Sequence, residues 1–135
     1  MAIINEGIKA EANGLISFGN YEARDKIKAK LEVSGDEYAV KTHKEITRLE
    51  KNSMLMLETV PGSAVFNFDI REDEANFSAE GLGDTQITIG LMPETTYCLI
   101  IDGVNIGEVV TQKSSGKAIF SVDLSVNKNI VLKKG

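Results

Sequence analysis

The sequence predicts an all-β protein: an antiparallel β-sandwich, jelly-roll or immunoglobulin-like, of about ten short strands behind an N-terminal arm. Three observations carry this reading. Apolar residues recur at every second position through most of the chain. Turn residues interrupt that alternation about every 8–12 positions. The three- and four-residue spacing that marks an amphipathic helix is missing from the same runs. With 135 residues, 42% of them apolar, the chain has the size and composition of one domain that needs neither disulfide nor metal to hold a core.

The elements follow in order. Residues 1–13 form the arm, with Ile3, Ile4 and Ile8 spaced among Ala, Glu and Lys, and residues 14–135 form the sandwich domain. Ile27, Ala29, Leu31 and Val33 alternate with Lys26, Lys28, Lys30 and Glu32, the mark of a half-buried strand. Ser34-Gly35-Asp36 turns the chain into a strand carrying Tyr38, Val40 and Thr42. Lys51-Asn52 joins two strands as a hairpin, and Met54 and Met56 stand opposite Leu55 and Leu57 on a strand apolar on both faces, which suits a central position. After Pro61-Gly62-Ser63, the residues Ala64, Phe66, Phe68 and Ile70 are expected to share one buried face. Phe77 anchors a short strand, and Ile87, Ile89 and Leu91 face inward on the next. Strands over 96–101 and 106–112 flank the turn Asp102-Gly103, and Ala118, Phe120, Val122 and Leu124 alternate before a closing strand over 130–133.

No group of residues forms a catalytic constellation, and none calls for a cofactor. His43 is the only histidine and Cys98 the only cysteine, so neither a zinc site nor a nucleophile–base pair has enough members. Cys98 lies in an apolar run, where a buried, inert thiol is expected. Gly81-Leu82-Gly83 precedes a strand, not a helix, and is a turn before it is a phosphate cradle. The acidic stretch from Asp69 to Glu74 offers oxygens to calcium but lacks the EF-hand spacing and its central glycine. A carbohydrate-binding face needs aromatic platforms. With Phe66, Phe68, Phe77 and Phe120 assigned to the core, the candidates are Phe18, Tyr21, Tyr38 and Tyr97.

The net charge of −5 argues against a nucleic-acid partner, which requires surplus Lys and Arg. The charge is also uneven. Seven acids stand against one base between Glu58 and Asp84, and five lysines against one acid between Lys113 and Gly135, so opposite patches can meet within a molecule or between copies. Apolar runs are too short for a membrane helix. Met1 to Ala10 lacks the basic start and apolar stretch of a signal peptide, so the expected address is cytoplasmic, a surface or extracellular one requiring a route the chain does not encode.

Several strings resemble a known family. They are Ile16-Ser17-Phe18-Gly19-Asn20-Tyr21, the run from Tyr38 to Asn52, Val60-Pro61-Gly62-Ser63-Ala64-Val65, Gly83-Asp84-Thr85-Gln86-Ile87-Thr88, and the tail from Pro93 through Leu124. Together they are similar to short, β-rich Gram-positive bacterial proteins called endosialidases. The tail also resembles accessory β-sandwich domains of polysaccharide-degrading enzymes, which implies a structural or sugar-binding module. The sialidase Ser-x-Asp-x-Gly-x-Thr-Trp boxes have no counterpart here, and Arg24, Arg48 and Arg71 are scattered, so the resemblance assigns no catalytic residue. The expected function is therefore non-enzymatic: a structural protein that associates with itself through β edges and its arm as a homo-oligomer or filament, with glycan binding as the alternative.

Overall fold

In a computed structural model, which describes residues 3–71 and 73–135, the protein is all-β, with no helix among the described residues. Its strands are β1 (Ile8–Ala10), β2 (Ile16–Phe18), β3 (Ile27–Val33), β4 (Asp36–His43), β5 (Ile46–Lys51), β6 (Met54–Val60), β7 (Ser63–Ile70), β8 (Glu74–Gly81), β9 (Asp84–Gly90), β10 (Thr96–Ile101), β11 (Val104–Val110), β12 (Lys117–Asp123) and β13 (Lys128–Lys134). They form two antiparallel sheets. The first, seven-stranded, has the order β1-β2-β7-β8-β13-β10-β11, and the second, six-stranded, has the order β12-β9-β6-β5-β4-β3. The alternation read from the sequence becomes one dry face per sheet. Leu49, Leu57, Ile87 and Ile89 from the second sheet share one core cluster with Val65, Phe77, Tyr97, Ile130 and Leu132 from the first.

The two-residue hairpins are set by residues that tolerate positive φ. Ser34-Gly35, Asn52-Ser53 and Asp102-Gly103 each place both central residues there, the geometry whose twist matches the flanking strands. Gly19 serves a different need. At φ +106° its backbone lies against β7, where a Cβ would collide with the carbonyl of Ser63.

Two expectations require correction. The N-terminal segment is not a free arm. β1 pairs with β2 in the first sheet, Ile4 and Ile8 are buried in the chain's own fold, and Ile3 is half-buried beside them. The Ile4 N–H donates to the Gly19 carbonyl at 3.0 Å and the Gly19 N–H to the Gly7 carbonyl at 2.9 Å, which clamps the segment down. The exposed surface of 7030 Å² agrees with the roughly 6,900 Å² expected of a compact chain of this mass. The second correction concerns β7. Its register with β8 shifts between Phe66 and Asp69, and Asn67 takes φ 53°. The bulge inverts the alternation, so Val65 and Phe68 face the core while Phe66 turns outward and is half-buried. Phe68 then meets Phe18 edge-on at 5.7 Å and Phe77 at 5.5 Å. The bulged Asn67 N–H donates to the Ser17 hydroxyl at 3.0 Å, and the Asn13 side-chain amide reaches Asn67 at 3.2 Å.

Where the chain crosses between sheets, buried hydroxyls replace apolar packing. The Thr47 hydroxyl donates to the Ser63 carbonyl at 2.9 Å and accepts the Ser63 N–H at 3.1 Å. It shares a 2.7 Å bond with Thr42, which also accepts the Asn20 N–H at 2.9 Å. Thr59 and Ser63 close the chain at 2.6 Å. Among the described residues no buried side-chain polar atom lacks a partner.

Two substitutions test these points by chemical denaturation. Thr47→Val strips Ser63 and Thr42 of their partner and should cost about 1–3 kcal/mol. Ile8→Ala should cost about 2–4 kcal/mol. An Ile8→Ala chain of unchanged stability and weakened self-association would instead restore the arm as a docking device.

Candidate functional site: the free sheet edges

The residues singled out for chemistry do not come together. Phe18, Tyr21 and Tyr97 are buried at 0, 1 and 0% exposure, and Tyr38 is half-buried on the inward side of β4, so these four do not form a stacking face. Cys98 is half-buried, not buried, and points outward from β10 between Lys133 and Glu108 of the adjacent strands. His43 ends β4, half-buried. In the acidic turn, Glu72 lies outside the described residues, and Asp69 is engaged by Arg71 at 3.1 Å. Among the described residues no cluster of three His, Cys, Asp or Glu is placed to hold a metal. The acid-rich and lysine-rich segments meet within the molecule, because β13 pairs with β8 and sets Lys133 opposite Glu74.

Tyr21 has a structural role. Its hydroxyl donates to Glu80 at 3.0 Å, and burial, reinforced by that bond to a carboxylate, pushes its ionisation up to about 12.

What the fold leaves open is its edges. Among the described residues four strands have no hydrogen-bonded neighbour on one side, β1 and β11 in the first sheet and β3 and β12 in the second, although β3 lies near β1 and β12 near β11 where the sheets meet. An unpaired edge presents backbone N–H and C=O groups to a further strand unless its shape prevents it. β1 has three residues, too few for a ladder. β11 exposes Val104, Ile106 and Val110, but a one-residue bulge in its pairing with β10 breaks its line. β3 and β12 are each seven residues long and pair without register shifts on their inner sides.

These two edges have matched faces. β3 turns Ile27, Ala29, Leu31 and Val33 inward and Lys28, Lys30 and Glu32 outward, with exposed Lys26 just before it. β12 turns Ala118, Phe120 and Val122 inward and Lys117, Ile119, Ser121 and Asp123 outward. Ala29, Leu31, Val33, Phe120 and Val122 touch the core yet stay half-covered, as edge residues lacking one neighbour do. Asp123 is held as a carboxylate. It accepts the Ser125 N–H at 2.9 Å, which with help from nearby Lys128 keeps its carboxyl below the usual acid range.

Strand direction completes the match. Every pairing in the second sheet is antiparallel, and its strand number is even, so β12 and β3 run in opposite directions. A copy translated along the sheet therefore brings its β12 antiparallel to β3. The first sheet has an odd strand number, so the same translation sets β11 parallel to β1.

Titration of tyrosine absorbance should show one of the three tyrosines ionising near pH 12. Because its folded-state value is raised above the ordinary value of 10, Tyr21 contributes stability that is complete below pH 10 and lost between pH 10 and about 12. Tyr21→Phe should flatten that part of the stability profile. An unchanged profile would remove the Glu80 contact from the account.

No family model, curated protein or solved structure matches the chain.

Proposed function

We propose that the protein is a non-enzymatic structural subunit that joins end to end with copies of itself, β12 of one copy adding to β3 of the next. The observation that supports this is the charge register of the two edges. With Asp123 opposite Lys26 in the neighbouring copy, Ser121 meets Lys28, Ile119 meets Lys30 and Lys117 meets Glu32. On the inward side, Val122 meets Ile27, Phe120 meets Ala29 and Ala118 meets Leu31, large against small where the bulkiest ring falls. Keeping the faces matched allows only shifts of two residues. One such shift sets Lys117 against Lys30. The other leaves Lys117 facing Ser34. The register with both opposite-charge pairs is therefore preferred over its neighbours, although each exposed pair contributes only about 0.2–1 kcal/mol.

Lysines on an edge ordinarily repel a second strand. Here the opposing edge carries an acid at the matching position and a lysine where β3 carries its acid. The junction leaves a free β3 at one end and a free β12 at the other, so the contact is open and propagates as a filament. The intrinsic twist of roughly 20–25° between adjacent strands makes that filament helical.

Sedimentation velocity over a dilution series tests this. The wild-type chain should show concentration-dependent oligomers. Asp123→Lys should weaken association roughly tenfold or more. Combining it with Lys26→Asp should restore association, since the pair is re-formed with its signs exchanged. A wild-type monomer at every concentration, or an Asp123→Lys chain that assembles normally, would contradict the proposal.

A further inference from the structure

On the outer face of the second sheet, three cations stand in one cross-strand row. Lys28 of β3 pairs with Lys41 of β4, and Lys41 pairs with Arg48 of β5. Directly opposed like charges destabilise a sheet, and here two such pairs adjoin in a chain whose net charge is negative. Arg48 is compensated by Glu58 at 2.7 Å and Glu50 at 3.5 Å. Among the described residues, Lys28, Lys30 and Lys41 have no carboxylate within 4.0 Å. The row also borders a concavity. Ala39 sits outward between Lys30 and Glu50, and its short side chain leaves a depression of about 420 Å³ walled by Lys28, Lys30, Lys41, Arg48 and Glu50.

We infer that this depression binds a phosphate group, free or carried by a small molecule. Lys28, Lys30, Lys41 and Arg48 supply four positive charges, and Glu50 and Glu58 remove two, so the floor is matched to a dianion. A phosphate monoester carries about −1.5 to −2 at pH 7. Ammonium groups converging from two strands suit its several oxygens without bidentate geometry. The volume lies within the roughly 300–1,000 Å³ of small-molecule sites. No aromatic side chain lines the depression, so it offers no stacking for a sugar ring or a base. A bound dianion relieves the repulsion between Lys28 and Lys41, the two members of the row without a carboxylate partner among the described residues.

The proposed junction runs past Lys28 and Lys30, so amide-detected NMR on the full chain tests the inference in both assembling and assembly-weakened protein. Sodium phosphate is titrated against sodium chloride at equal ionic strength, with glycerol phosphate as a second arm to separate the free anion from a phosphorylated small molecule. Saturable shifts confined to residues 28–30, 39–41 and 48 are expected with phosphate and not with chloride. Lys28→Gln/Lys41→Gln should weaken binding at least tenfold. Lys30→Gln serves in its place if the double variant does not fold. Repeating the titration in the Asp123→Lys chain keeps loss of assembly distinct from loss of binding. Equal shifts with chloride, no saturation, or unchanged affinity in the folded variant would overturn the inference.

Discussion

Two sheets packed face to face give each strand one dry side and one wet side, and this constraint organises the rest of the molecule. It decides which residue of each alternating pair is apolar, from Ile87 and Ile89 on β9 to Ile130 and Leu132 on β13. It also explains the departures. The bulge at Asn67 swings Phe68 inward to meet Phe18 and Phe77, and the lost ladder bonding is offset by the Ser17 hydroxyl. Where the chain crosses from the second sheet to the first at Pro61-Gly62, apolar side chains give way to the linked hydroxyls of Thr42, Thr47, Thr59 and Ser63. Backbone groups leaving one ladder before entering the next must find partners there.

Much of this was legible in the sequence because alternation is a local signal. Residues 27–33 and 118–124 declare their inward faces without help from the fold. Positive-φ hairpins were equally plain at Ser34-Gly35 and Asp102-Gly103. The alternation places Phe66 on the inward face because a one-residue bulge leaves no mark on composition, although an asparagine between two phenylalanines is a residue that tolerates positive φ. The N-terminal segment resembles an arm because its pairing, with the neighbouring β2, is only three residues long. Only the three-dimensional closeness of Ile8 and Phe18 reveals it as a strand. The tyrosines looked available because a buried hydroxyl's partner, such as Glu80 for Tyr21, cannot be found from spacing.

The candidate site was less legible. The sequence displays the lysines of residues 26–30, but not that they end a sheet whose opposite edge carries Asp123 and Lys117. Nor does it show that an even number of antiparallel strands makes those edges run in opposite directions. Edge complementarity is a property of strand order, which depends on contacts between distant segments. The two outward features of the second sheet adjoin: the opposite-charge pairs of the junction use Lys26 and Glu32, while Lys28 and Lys30, set across from Ser121 and Ile119, also wall the depression around Ala39. The most direct measurement of the edge-to-edge claim is oxidation of a chain carrying Lys28→Cys, Ser121→Cys and Cys98→Ser. A ladder of covalent dimers, trimers and longer species is the predicted result. Monomers alone, or dimers that do not extend, would contradict it.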